Sequence, residues 1–386
     1  MSTNLVAASR QWAVRPADQR FWTLSELLEK TRTYAEESKV KELALSTCSV
    51  QPTDDNDLLL YGPTRQHGAK FQHYAFGQFS NLCEAPASYL RQLPAPIAAD
   101  CLNHGLSKLS GRQQIMFHQN GGLDVRCITS DRYSRIWNYE IANLALALEE
   151  NEGWKTPPAR PCGLENVPTR QATEADVLRK SAHPSLGVKV GDEISPSGLY
   201  ASDHDCFIFQ VNEDRAINGG DGETLYRGVF WSNSEVGAAR FRATLFLYES
   251  VCGNHICWNT KTIGEVTIRH TGEARRAFSE AMASITARME TAASDDEIRI
   301  RQAKQKLLGQ SKEEVVDFVY GKSFGLSRKD CEEAYVLADR HADLHGNEPN
   351  SAWGFASGVT RLSQQNYADK RDAMDRAAGK VLQLAF

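Results

Sequence analysis

The sequence predicts an α+β fold, in which an antiparallel sheet core is flanked by helices and followed by a helical C-terminal module. β-forming and aromatic residues concentrate between about 186 and 260, most densely in Leu225–Thr260, where they alternate with a period of two. After this stretch, apolar residues recur every three or four positions, as in amphipathic helices. The βαβ alternation of a doubly wound fold is absent from the sequence.

Length and composition restrict the classes of function open to this chain. The chain has 386 residues, with 41% hydrophobic and 24% charged residues, as in ordinary globular proteins. Lys and Arg number 44 against 49 Asp and Glu, which gives a net charge of -5. A nucleic-acid contact would therefore need a local basic patch. We expect no membrane span, and the nine scattered cysteines without an export signal indicate reduced thiols in a cytoplasm.

Local signals divide the chain into three parts. These are an N-terminal arm and helix at 1–39, an α+β core domain at 40–265 and a helical module at 266–386. Capping-box patterns predict helix starts at Thr23, Ser294, Ser311 and Ser327. Turn chemistry at Asn120-Gly121-Gly122 predicts a hairpin over 113–129.

Residues 73–106 predict three short helices. Pro86 and Pro96 stand where proline is tolerated in a first turn. Pro94 ends the helix before it. The predicted core of this segment consists of Phe76, Phe79, Leu82, Tyr89, Leu90, Ile97 and Leu102.

The strongest candidates for binding are arginines and aromatic residues. Some lie where a predicted strand meets the helix that starts near Trp137, and others lie on the predicted central strands. Arginine forks bind phosphate groups, and aromatic rings stack on unpaired bases. The alternative is a polar surface rim with the aromatic rings in the core. The candidate nucleic-acid-binding residues are Arg126, Arg132, Tyr133, Arg135, Arg227, Arg240 and Arg242.

Acidic residues near 203–221 offer a second interpretation. Carboxylates are the ligands that Mg²⁺ prefers, but no spacing singles out a pair, so the pattern favours solvated turn residues. We predict no resident cofactor, and Mg²⁺ enters only under a hydrolase interpretation. The acids of this stretch are Asp203, Asp205, Glu213, Asp214 and Asp221. The candidate metal ligands are Asp203 and Asp205 from this set, and His255 from the following strand.

Two further motifs lie near the central strands. Cys252-Gly-Asn-His255-Ile-Cys257 places two thiols and an imidazole within six positions. Zinc would need a fuller ligand set, a thiol nucleophile would need His255 within reach, and buried thiols are the third interpretation. Asn233-Ser234-Glu235, between two predicted strands, is either a polar site or a satisfied turn.

Four segments together resemble the phage/plasmid-like family, also called domain of unknown function 932. They are AFGQFSNLCEAPASYLRQLPAPIAADCLNHGL, VRCITSDRYSRIWNYEI, FWSNSEVGAARFRATLFLYESVCGNHICW and SAWGFASGVTRLSQQNYADKRDAMDRAAGKVL. The similarity runs over about 70–385. The chain departs from the pattern at His255, where the family has a small residue.

The resemblance implies a prokaryotic cytoplasmic protein of a phage, plasmid or other mobile element, and it supplies no catalytic residue. Such genes accompany DNA replication and recombination genes. We therefore predict a DNA-binding accessory protein, oligomeric and non-enzymatic, that binds or anneals single-stranded DNA. The alternatives are a metal-dependent, nuclease-like hydrolase of nucleic acid or nucleotides, and an assembly or host-factor-binding protein without nucleic-acid affinity.

Overall fold

The β part of the protein consists of two separate large sheets. The computed structural model describes residues 17–64, 67–119, 121–151, 153–156, 169–174, 176, 189–194, 196, 199–220, 222–249, 255–257, 265–289, 293–342, 347–363, 366 and 368–386. Residues 1–16, most of the predicted N-terminal arm, lie outside this part. The α+β class, with mostly antiparallel strands flanked by helices and a helical C-terminal segment, is confirmed.

The first sheet carries the helices predicted at 73–106. Its strands are β1 Ser38–Leu43, β2 Ser49–Pro52, β3 Leu58–Tyr61, β4 Gly68–Phe71, β5 Gln113–Gln119 and β6 Leu123–Ser130, in the order β1-β5-β6-β4-β3-β2. Neighbours are antiparallel except for the parallel pair β4 and β6. The predicted hairpin is confirmed as β5 and β6.

An N-terminal helix, α1, spans Leu24–Glu36, and Thr23 caps it as predicted by accepting the Glu26 amide. The helices on the first sheet are α2 His73–Leu82, α3 Ala87–Leu90 and α4 Ala95–Leu106, which confirms three helices in this segment. Two of the predicted core residues are wrong, since Tyr89 and Ile97 are 59% and 51% exposed.

The second sheet is built around a long hairpin. Its central strands are β11 Cys206–Gly220, β12 Glu223–Asn233 and β13 Phe241–Glu249, flanked by β7 Trp154–Lys155, β10 Leu199–Ala201, β14 His255–Cys257 and β15 Glu265–Ile268. The pair β8 Arg170–Gln171 and β9 Glu193–Ile194 stands apart. One face of the sheet packs against α1, α5 Asn138–Asn151 and α6 Ala274–Met289.

The other face of this sheet is also covered along β13, although alternation with a period of two is typical of strands with a single buried face. Phe241 packs in the core beneath α5 and α6. On the opposite face Phe246 is 3% exposed, and its ring occupies the space where a Cβ on Gly228 would lie, at 2.0 Å. It also stacks on Phe209 with ring centroids 5.0 Å apart. Arg242 is therefore partly buried rather than displayed on an open face.

The C-terminal helices are α7 Ala293–Gln305, α8 Lys312–Gly321, α9 Arg328–Arg340, α10 Ala352–Ser363 and α11 Ala368–Leu382. Their core includes Ile217, Leu225 and Leu247, so the helices pack on the ends of the central strands. The caps predicted at Ser311 and Ser327 are confirmed. The start predicted at Ser294 is wrong by position, because the helix already includes Ala293. Within the described residues, no helix combines the length and apolar character needed to cross a bilayer.

Candidate functional site

The two sheets are joined by a buried ion pair. Arg126 on β6 and Glu235, just after β12, are each 1% exposed, and Nη2 lies 2.7 Å from Oε2. Arg126 also donates to the Asp203 carbonyl and to the Ser38 hydroxyl. The second carboxylate oxygen of Glu235 accepts a hydrogen bond from the backbone N–H of Asn138 at 2.7 Å. A buried charge is tolerated only with such partners, so this pair fixes the first sheet against the second.

A second arginine points into the same junction. Arg135 is 8% exposed, and its Nε donates to the backbone carbonyl of Glu235 at 2.6 Å. The guanidinium lies 5.2 Å from the Tyr133 ring centroid and 5.4 Å from that of Trp137. Its Nη2 is 3.4 Å from the Cys127 sulfur, and burial raises the pKa of that thiol. Cation–π contacts and a carbonyl therefore hold this charge inside the protein.

Three of the predicted phosphate contacts are used internally, and the expectation is corrected for them. Arg126 is neutralised by Glu235, and Arg135 is enclosed as described. Arg227 on β12 reaches Asp296 of α7 at 2.6 Å, with its side chain 14% exposed. This pair joins the C-terminal helices to the sheet. Withdrawing any of these guanidinium groups toward a ligand would leave a buried polar partner unsatisfied.

Tyr133 is also engaged inside the protein, although it was predicted to stack on a base. Its hydroxyl donates to the Ser234 carbonyl at 3.0 Å, and its ring stacks on His270 with centroids 5.0 Å apart. Burial raises the pKa of Tyr133. Burial likewise lowers the pKa of His270 to about 4, so this imidazole is neutral at pH 7. A base could reach Tyr133 only by displacing these contacts.

Arg240 remains exposed, and the strand register brings a further arginine beside it. Phe241 of β13 pairs with Ile268 of β15 in antiparallel register. Arg240 precedes the one and Arg269 follows the other, so the two residues lie side by side where the paired strands end. Both are exposed. Sequence reasoning missed Arg269, because its position opposite Arg240 follows from the pairing of two strands and not from a motif.

Arg132 lies on a neighbouring segment. Tyr133 forms an isolated antiparallel bridge with Thr271, which places Arg132 beside Gly272, three residues beyond Arg269. The turn before Arg240 is also close, since a Cβ on Gly237 would lie 3.6 Å from the Tyr133 ring. None of the three exposed arginine side chains makes an ion pair or hydrogen bond with another described residue. We call this surface the basic end patch, which consists of Arg132, Arg240 and Arg269.

The acidic metal candidates form a self-capped turn between β10 and β11. Nδ1 of His204 lies 2.7 Å from Asp203, and Nε2 lies 3.8 Å from Asp205. The Ser202 hydroxyl accepts the amides of His204 and Asp205. In the part of the chain that the structure describes, there is no group of three or more metal-ligating side chains. His255 begins β14, but the described part excludes its side chain and those of Glu213, Asp221, Cys252 and Cys257.

The same turn contains the three residue types of a hydrolase triad, a combination that sequence reasoning missed. Their geometry, however, is not that of a triad. Ser202 Oγ and Asp203 Oδ1 both approach Nδ1 of His204, at 3.2 and 2.7 Å. A nucleophilic triad needs the serine on one ring nitrogen and the carboxylate on the other. Ser202 is also only 2% exposed. The arrangement is therefore that of a structural turn.

Comparisons with protein-family models, with curated proteins and with solved structures found no match for this chain. The similarity to the phage/plasmid-like family therefore stays a prediction. Two of the four segments that carry it contact each other. Arg126 and Tyr133, of the segment that begins VRCITSDRY, contact Glu235 and Ser234, of the segment that begins FWSNSEVG. The site thus consists of a buried junction with the exposed basic end patch beside it.

Proposed function

We propose that this chain is a nucleic-acid-binding accessory protein that holds single-stranded DNA by its phosphate backbone at the basic end patch. The supporting observation is that Arg132, Arg240 and Arg269 lie on neighbouring segments near one end of the second sheet, all exposed and without side-chain ion pairs in the described part of the chain. Since the net charge is -5, attraction to phosphate has to be local.

The local charge balance also supports phosphate binding. Asp131 adjoins Arg132 and is exposed, and Glu273, four residues after Arg269, already lies 3.0 Å from Arg276. The patch therefore has a net positive charge. Guanidinium groups bind phosphate oxygens in pairs, and such contacts carry no sequence information. The proposed binding is sequence-independent, as in strand binding or annealing in a prokaryotic mobile element.

Salt dependence of oligonucleotide binding tests the proposal. Each phosphate contact to a single strand contributes about 0.7 to the slope of log K against log salt. Three contacts predict a slope of about −2. In the variant with Arg132→Ala, Arg240→Ala and Arg269→Ala, the salt dependence should almost disappear. Fluorescence anisotropy with a labelled oligothymidine, at several salt concentrations, measures both slopes.

A matched control removes the same formal charge elsewhere. Arg301, Lys306 and Lys380 are exposed cations in or next to the C-terminal helices, and replacing all three by alanine should leave the slope unchanged. Binding that weakens equally in both triple variants would mean that net charge alone is responsible. Unchanged binding in the end-patch variant would exclude this surface, and absence of binding by the native chain would exclude the function.

A further inference from the structure

The C-terminal helices contain a groove lined by three apolar and four charged side chains. It has a volume of about 440 Å³ and lies between the start of α8, one face of α9 and the end of α10. Its apolar surface comes from Val336, Leu337 and Leu362, and Val336 is 41% exposed. An aliphatic side chain this exposed in a concave surface indicates a place where another apolar group can be buried.

The charges around the groove are unequal. Glu332 and Glu333 line it but lie within reach of Arg328 and Lys329, one turn earlier on α9, at 3.3 and 3.7 Å. The cations that line it are Lys312 and Arg340, which form no ion pair with any described residue. The groove therefore suits a segment that combines apolar side chains with carboxylates.

The solvent face of α8 on the same chain has this composition. Tyr320 on this face is 49% exposed. Glu313, Asp317 and Tyr320 follow one another at helical spacing along the exposed face. Glu313 has no ion pair in the described part, while Asp317 has an exposed one with Arg328. An exposed pair of this kind contributes little stability and can be exchanged for another.

We propose that copies of this chain assemble head to tail, with the α8 face of one copy in the groove of the next. Tyr320 would cover the apolar surface, and the carboxylates of α8 would face Lys312 and Arg340. Because the face and the groove are different surfaces, each added copy leaves one of each open, which gives a ring or a filament. The proposal is independent of nucleic-acid binding.

Light scattering after size-exclusion chromatography of the full chain, over a range of concentrations, tests this assembly. Seven residues line the groove, fewer than the roughly 20–30 per partner of a standard interface, so association should be weak and the mass should rise with concentration. Tyr320→Glu and Val336→Glu should each reduce it to that of one chain. Ile97→Glu, an equally exposed apolar position on α4, should leave assembly unchanged.

Mixing the variants tests the head-to-tail geometry. Tyr320→Glu keeps an intact groove and Val336→Glu keeps an intact face, so their mixture should give dimers and nothing larger. Assembly lost in Arg340→Glu should return when Glu313→Arg is added in the same chain. A native chain that stays monomeric, assembly that survives both single variants, or a mixture without dimers would overturn the proposal.

Discussion

Loss of the carboxylate at Glu235 should destabilise the protein strongly. In Glu235→Gln the amide can still accept the Asn138 N–H, but Arg126 is left as a buried charge, 1% exposed, without a counter-charge. Removing one partner of a buried ion pair costs about 3–5 kcal/mol. Arg126 retains the Asp203 carbonyl and the Ser38 hydroxyl. We therefore expect the lower part of that range, about 3 kcal/mol.

Denaturant unfolding measures this loss, and a double-mutant cycle identifies its cause. The double variant with Arg126→Met and Glu235→Gln should be more stable than the sum of the single losses predicts, since neither charge is left alone. Glu273→Gln is the matched control, because its pair with Arg276 is exposed by 75% and 72%, and it should change stability by less than about 0.5 kcal/mol. A loss below about 1 kcal/mol for Glu235→Gln, or additive losses in the cycle, would refute the assignment of this pair as the junction between the sheets.

Two further predictions concern packing and pH. Gly358→Ala should cost about 1–3 kcal/mol in unfolding experiments, because its Cβ would lie 2.1 Å from the Ala334 carbonyl oxygen, whereas Gly321→Ala, with no atom within 4 Å of the added carbon, should be neutral or stabilising. The pKa of His270 falls from 6.5 to about 4 on folding, so the unfolded chain binds its proton first and stability drops as the pH falls from about 6.5 to 4. The neutral His270 thus contributes roughly 3 kcal/mol to the free energy of unfolding at pH 7, and this contribution is lost at low pH. His270→Gln should flatten unfolding free energy against pH in that window, and an unchanged slope would contradict the burial of this imidazole.

Local signals predicted much of the secondary structure. Caps such as Thr23 and Ser327 act within four residues, so the sequence alone contains the whole interaction. The same holds for the hairpin of β5 and β6, whose turn residues determine the reversal. The start at Ser294 failed because a capping pattern inside a first turn is indistinguishable, by sequence, from one that precedes it.

The environment of each arginine was not predictable in this way. Arg126 and Glu235 are separated by more than a hundred positions, and only the packing of the two sheets brings them together. Arg227 is likewise paired with Asp296, on a helix that follows the sheet. An arginine that binds phosphate and one that forms a buried ion pair look the same in the sequence. Only the burial of the side chain in the folded protein distinguishes them. The end patch shows the same limit, because Arg269 joins it only through strand pairing.

One short segment relates the buried junction to the exposed patch. Tyr133 and Arg135 point inward and are held by the Ser234 and Glu235 carbonyls, while Arg132 is exposed immediately before them. A phosphate contact made from an anchored backbone loses less conformational freedom on binding than one made from a loose loop. The internal use of Tyr133 and Arg135 thus strengthens the case for Arg132. The junction keeps Arg132 at a fixed place beside the strand ends that bear the other two cations, and a chain of net charge -5 needs such a fixed local cluster to attract a phosphate backbone.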